Sequence, residues 1–260
     1  MNSGQTISRC DLDDLYTVYN RRDRVHPDPL VFLYAYPDIR DREIAGLLAS
    51  CLAYGRVSQI YISLSRVLEK MGPSPVRFLD RSTPESLTAV YGEFSHRFAT
   101  AGNLVNLMLS IKDVRDRYGS IHACFLSGMK IDADTLLPAL TRFVAALTAG
   151  NPQEGGLGHL IPLPERGSAC KRLNLFLRWM VRKDDVDPGG WDQIPPSKLI
   201  IPLDVHMHRV GVRLGFTRRR QADMRTALEI TRAFSQMVPE DPLRYDFTLC
   251  RMGMNGVSII

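Results

Sequence analysis

The chain lacks the residues that staple small proteins and the apolar runs that hold proteins in membranes. Its five cysteines, Cys10, Cys51, Cys124, Cys170 and Cys250, are odd in number and nowhere spaced as CxxC. That pattern excludes a disulfide framework and a cysteine-ligated zinc or iron–sulfur centre, leaving reduced thiols in or near a core. No stretch approaches the roughly eighteen apolar residues of a membrane span, and Met1–Arg9 is polar with no apolar run behind it. The expectation is a cytoplasmic protein without a secretory signal. Strict two-residue alternation is nearly absent, as are fixed-period repeats and low-complexity tracts. Lysine is scarce: Lys70, Lys112, Lys130, Lys171, Lys183 and Lys198 are the six among 33 basic residues.

What is present is enough apolar material, 45% of 260 residues, to build a continuous core as one large domain or two small ones. It recurs at helical spacing. Leu12, Leu15, Tyr16 and Tyr19 mark a first amphipathic helix, which Pro27 and Pro29 follow. Asp41 is placed to cap a second, carrying Ile44, Leu47, Leu48 and Cys51. Helices are predicted over 57–71, from Pro84, over 103–117 and over 133–149, the last stopped by Gly150 and Asn151-Pro152. Residues 153–166 turn to Gly and Pro, and 183–197 (KDDVDPGGWDQIPPS) do so again. Between them 170–182 forms a helix apolar on most sides, hence central. The fold class is all-α.

Charge is uneven. The chain carries +5, yet Arg166–Arg220 holds twelve Lys/Arg against five Asp/Glu, a net of +7 that leaves −2 for the remainder. A basic segment in a nearly neutral chain suggests a polyanion-binding face, and arginine suits phosphate because its guanidinium binds as a fork.

Two segments carry chemistry. In Gly167-Ser168-Ala169-Cys170-Lys171 small residues open a buried helix. Such a turn leaves backbone N–H groups at the positive end of the helix dipole, suited to a phosphate. In Leu199-Ile200-Ile201-Pro202-Leu203-Asp204-Val205-His206-Met207 an acid follows an apolar run at the position of a helix N-cap, a role worth about 1 kcal/mol.

Together these segments resemble the helix-hairpin-helix DNA glycosylases, in the branch of 8-oxoguanine glycosylase and endonuclease III. As a whole the sequence resembles a bacterial family without assigned function. The resemblance implies two helical lobes around a cleft, one from about 1–40 with 200–260 and the other from 41–199. It implies that Lys171 is the nucleophile, that Asp204 assists it, and that Gly167, Ala169, His206 and Arg209 meet DNA phosphates. Leu47–Ser58 is similar to the early helix and wedge loop of that family, with Tyr54 and Arg56 entering DNA. Tyr245, Asp246 and Phe247 are similar to its base-pocket residues. A carboxylate stabilises the positive charge that develops on the sugar, and a neutral amine attacks the anomeric carbon to give a Schiff base. The implied partner is double-stranded DNA containing a damaged base, an oxidised purine, with the protein a monomer among nucleoid DNA and no cofactor or metal required. Lys171 and Asp204 are 33 residues apart, so 183–197 must fold aside for them to meet.

Two other readings stay open. Asp204-x-His206-x-His208 could be a metal-ligand run at a strand end, as in divalent-metal hydrolases, although the βα alternation of those enzymes is missing. Alternatively, the chain is a non-catalytic helix-hairpin-helix module that binds nucleic acid through its arginines.

Overall fold

The computed structural model describes residues 7–150 and 156–254. Met1–Thr6, Asn151-Pro152 and 153–155 of the Gly/Pro stretch therefore lie outside the described residues. The chain is all-α: among those residues the helices are α1 (Arg9–Tyr19), α2 (Ile39–Leu52), α3 (Val57–Met71), α4 (Pro75–Arg81), α5 (Pro84–Tyr91), α6 (Ala101–Tyr118), α7 (Ile121–Leu126), α8 (Leu137–Thr148), α9 (Lys171–Val181), α10 (Val205–Arg213), α11 (Met224–Met237) and α12 (Asp246–Met254). One hairpin, β1 (Ser95–His96) and β2 (Ala99–Thr100), interrupts them, paired antiparallel with Ser95 opposite Thr100 and His96 opposite Ala99. No helix among the described residues is long and apolar enough to cross a membrane.

Contacts divide the chain into two units. The first takes Met1–Val25, Asp134–Leu136 and Leu163–Ile260, and the second His26–Ala133 and Leu137–Pro162. The division expected between 199 and 200 thus falls at Leu163, and α9 belongs with α10. The reason is burial: Leu173, Phe176, Leu177, Trp179 and Met180 of α9 are all enclosed, and Arg178 of the same helix and Arg182 immediately after it pair with Asp246 and Asp241 from the C-terminal segment.

In the first unit, residues 183–197 fold back onto the end of α9. The N–H groups of Gly189 and Trp191 donate to the carbonyls of Trp179 and Met180 at 3.0 and 2.8 Å, satisfying acceptors that a helix C-terminus otherwise leaves unpaired. Trp191 is fully buried and meets Phe176 edge to face at 5.2 Å. The same loop delivers Asp187, wholly buried, to Arg178 at 3.1 Å and to Arg182. Arg178 and Arg182 are only 2% and 3% exposed, so two of the twelve bases in the Arg166–Arg220 segment serve the interior and not a polyanion-binding face.

In the second unit α2 is buried along most of its length. Its N-cap is Asp38, whose side chain accepts from the N–H groups of Arg40 and Asp41. Asp41, expected as the cap, sits in the first turn and turns inward to accept from Ser74 Oγ and Val76 N–H at 2.9 and 2.8 Å, tethering the start of α4. Helix α3 spans the predicted residues, whereas α8 begins at Leu137 and not Ala133, because the Leu136 N–H is directed to the Lys198 carbonyl at 2.9 Å.

Candidate functional site

The approach to α9 is a tight turn. Pro164–Arg166 forms a short 3-10 turn ended by Gly167 at φ +76°, a conformation that favours glycine. Cys170, the residue before the helix, is also left-handed at φ +48°, which is uncommon for a residue with a side chain. The turn is held from outside itself: Met224 N–H donates to the Gly167 carbonyl at 3.1 Å, and Ser168 bridges Asp223 at the N-cap of α11. Inside it, Asn174 Nδ2 donates to the Ala169 carbonyl at 3.0 Å. Gly167 is exposed, whereas Ala169 faces inward. Lys171 is the first residue of α9, so its side chain leaves the turn at the end of the helix where N–H groups have no intrahelical acceptor.

Asp204 arrives along a second path. Leu199–Leu203 is a buried extended run, pinned where Thr231 Oγ1 of α11 accepts from the Ile201 N–H at 3.0 Å. It delivers Asp204 as the N-cap of α10, with Oδ1 accepting from Met207 N–H at 2.8 Å. The other oxygen, Oδ2, is 3.4 Å from Lys171 Nζ. One carboxylate therefore caps a helix and faces an amine, and the cap fixes the direction of the oxygen that remains. Both side chains stay accessible, 38% exposed for Lys171 and 23% for Asp204. The intervening loop leaves this approach open by packing against the far end of α9.

Beneath the pair lies α12. Asp246 accepts from Arg178 Nη1 at 2.6 Å through one oxygen and meets the Cys250 thiol at 3.9 Å through the other. Burial pushes the Asp246 carboxyl up, against the pull of Arg178, and the Asp204 charge adds to the rise. Burial likewise pushes the Cys250 thiol well up, with Asp246 and Asp204 contributing. The floor of the site is thus a desolvated acid and thiol, a place where additional negative charge is unfavourable.

The remaining expected residues divide. His206 is half-buried against Gly253, where an added Cβ would sit 3.4 Å from Nδ1. Arg209 is exposed on α10, as is Val205 next to Asp204. Tyr54 and Arg56 belong to the second unit, at the loop between α2 and α3. Tyr54 is half-buried, its hydroxyl donating to the His96 carbonyl at 2.9 Å, and Arg56 is exposed. Tyr245, Asp246 and Phe247 do not line an open pocket. They are 1%, 2% and 2% exposed: the Tyr245 hydroxyl donates to Asp13, Asp246 pairs with Arg178, and the Arg178 and Arg251 guanidinium groups lie over Phe247. The sequence reading missed this internal use because Arg178 and Arg182 read as surface bases. Their i,i+4 spacing on an otherwise apolar helix, followed at once by Asp184 and Asp187, was the available signal.

The metal-ligand reading fails on geometry. Asp204, His206 and His208 begin a helix and do not end a strand, and residues two apart on a helix point about 200° apart around its axis. His208 Nε2 instead lies 2.8 Å from the Arg219 carbonyl. Among the described residues no group of three His, Cys, Asp or Glu side chains is placed to hold a metal ion.

A family model described as a protein of unknown function, DUF2400, matches residues 28–255. The chain belongs to the DUF2400 family. No curated protein and no solved structure matches it. The span shared with DUF2400 contains every candidate residue from Tyr54 to Phe247 and omits α1.

Proposed function

We propose that this DUF2400 protein is a DNA glycosylase with associated abasic-site lyase activity, removing an oxidised purine from double-stranded nucleoid DNA. The observation that carries the reading is the 3.4 Å approach of Lys171 Nζ to Asp204 Oδ2, made by residues far apart in sequence and at the accessible ends of two helices. It is supported by the glycosylase-like motifs that contain both residues and by the exposed glycine turn leading into α9.

In this reading the deoxyribose C1′ lies at Lys171 and Asp204. The C1′–N bond breaks with its electron pair leaving on the base, which takes up a proton, while the Asp204 carboxylate stabilises the positive charge on the sugar. The Lys171 amine, having given a proton to solvent, uses its lone pair to bond C1′. The C1′–O4′ bond then breaks, O4′ taking up the second N–H proton, and a protonated Schiff base results. Removal of a C2′ proton then expels the 3′ phosphate and cleaves the strand. Gly167 and the open N–H groups of α9 suit the flanking phosphate, and Arg209 on α10 adds a second cation. Reaching the base requires that it leave the helical stack.

The test is borohydride trapping on labelled duplexes that each contain one lesion or one abasic site. Wild type is expected to give a covalent adduct on one of them and Lys171→Gln none, with Asp204→Asn slowed by about a hundredfold or more, the scale of one electrostatic contact. A second reading is favoured by Asp204 already having a capping role: the ion pair would be structural and the chain a non-catalytic DNA-binding module. Salt-sensitive duplex binding with no adduct and no base release on any substrate would establish that reading over the enzyme.

A further inference from the structure

The β1–β2 hairpin of the second unit has no place in the chemistry above, yet its tip is unusual in three respects. Arg97, one of the two tip residues, is left-handed at φ +54°, a conformation that L residues with a Cβ rarely adopt. Phe98, the other, is 72% exposed. Behind them stand more rings: His159 meets Phe98 at 5.7 Å and Tyr54 at 4.9 Å, both edge to face, and Tyr54 meets His96 at 4.8 Å. The tip also packs on the loop that carries Tyr54, since a Cβ at Gly55 would lie 2.6 Å from Arg97 Cδ.

The hairpin is anchored from below, which accounts for how it holds a strained tip. His96 is buried, with Nδ1 2.9 Å from Ser63 Oγ and Nε2 3.1 Å from the Tyr54 carbonyl, while Tyr54 Oη returns a bond to the His96 carbonyl. Two cations flank the tip: Arg56 and Arg97 are exposed, and the hairpin residues 95–100 contain no acid, the nearest before them being exposed Glu93. An exposed aromatic ring alone is ordinary on a protein surface. Combined with flanking arginines and a rigid anchor, it has the composition that binds unpaired nucleotides, where bases stack on rings and phosphates meet cations.

We propose that Phe98 and Arg97, backed by His159 and Tyr54, form a stacking surface for an unpaired nucleobase in a DNA strand. This rests on the reading that the chain binds DNA, and assigns to the hairpin tip a share of that contact that the motif resemblance left to Tyr54 and Arg56. Phe98 supplies the face for the base and Arg97 the cation for the adjoining phosphate.

The test uses the full chain and a duplex bearing a single unpaired 2-aminopurine, read by fluorescence polarisation of an end label and by 2-aminopurine emission. Wild type is expected to bind and to change the emission, Phe98→Ala to bind about tenfold more weakly and to lose the emission change, and Phe98→Trp to retain both. Phe98 is exposed, so its removal leaves the core intact, and circular dichroism checks that it has. Equal binding and emission by wild type and Phe98→Ala would overturn the inference while leaving DNA binding in place. No binding by wild type would overturn both. Phe98-dependent binding to phosphatidylserine vesicles without binding to the duplex would assign the tip to a lipid surface and also overturn it. Loss of borohydride trapping in every arm, with Phe98-dependent binding retained, would remove the lyase activity alone.

Discussion

The two units differ in how they satisfy their most deeply buried charged side chains. In the first, side chains satisfy one another: Arg178 and Arg182 are enclosed by Asp184, Asp187, Asp241 and Asp246. In the second, side chains satisfy the backbone. Buried Glu43 accepts from the N–H groups of Ile121 and His122 at the start of α7, Asp41 accepts from Val76 N–H, and Asn103 and Asn106 donate to the Gly156 carbonyl. The difference follows from what each unit must hold. The first has a long irregular loop to fix at the end of α9 away from its candidate site, which ion pairs from that helix do. The second has helix starts, at α4 and α7, whose N–H groups need partners.

The largest predicted effect tests the ionic side of that comparison. Arg182→Met removes one partner from each of three carboxylates, one of them, Asp187, fully enclosed and left with Arg178 as its cation. A buried charge left without its partner costs about 3–5 kcal/mol, and urea unfolding measures it. Burial already pushes Asp187 up to about 6 despite two adjacent guanidinium groups, so the variant is expected to be least destabilised in acid, where Asp187 is protonated. A loss below about 1 kcal/mol, within the range of exposed pairs, would show that water reaches the network.

The corresponding change in the second unit is smaller. Glu43→Ala leaves the Ile121 and His122 N–H groups without the acceptor they now share, at about 1–3 kcal/mol for buried groups losing their hydrogen bonds. Glu43→Gln keeps one carbonyl oxygen and is expected to recover part of the loss. If Glu43→Ala proved more damaging than Arg182→Met, the contrast between the units would be reversed.

How much of this could be read from the sequence depended on the range of the interaction. Helices α3, α5, α6 and α9 were legible because burial on one face repeats along the chain, and Asp204 as a cap because capping acts across three residues. The pairing of Lys171 with Asp204 came from motif resemblance; spacing alone left the intervening loop unplaced. That loop was left unplaced because Tyr16, which donates to its Asp184, lies on α1, and because Arg178 and Arg182, which pair with its Asp184 and Asp187, read as surface bases. Asp41 was misread as a cap for a related reason: Asp38 offers the same chemistry three residues earlier, and the contact that occupies Asp41 comes from Ser74 and Val76. The hairpin at Arg97–Phe98 was invisible because strands of two residues have no periodicity to detect.

A weaker effect appears in alkali. Tyr16 donates to Asp184 and Tyr245 to Asp13, at 3.0 and 2.8 Å, and burial raises each hydroxyl from 10.0 to about 12, the neighbouring carboxylate adding to the rise. Between those values the folded state keeps protons that the unfolded state releases, so stability falls as pH increases from 10 towards 12. Tyr16→Phe with Tyr245→Phe is expected to flatten part of that slope in urea titrations. Tyr91 and Tyr36 of the second unit, also raised by burial, add to the slope, as do the thiols of Cys124, Cys170 and Cys250, raised for the same reason. An unchanged slope in the double variant would place the alkaline sensitivity in groups other than these two hydroxyls.

The smallest effect belongs to His96 and has the opposite sign. The Tyr54 carbonyl can only accept, so Nε2 donates to it, and in a neutral ring Nδ1 is left to accept from the Ser63 hydroxyl. Protonation would turn Nδ1 into a donor and reverse that second bond. Burial holds the ring below its ordinary 6.5, and the Arg97 charge adds to the lowering. Below 6.5 the unfolded state therefore binds a proton that the folded state refuses, and the contribution of His96 to stability, present above that pH, is lost as pH falls. His96→Asn is expected to be less stable above 6.5 and to lose the acid-dependent decline, followed by urea midpoints on either side of that value. Because the same ring anchors the hairpin, Phe98-dependent 2-aminopurine emission is expected to weaken over the same interval. Weakening in wild type without a change in His96→Asn would place the acid response in this ring; equal weakening in both would place it in another group.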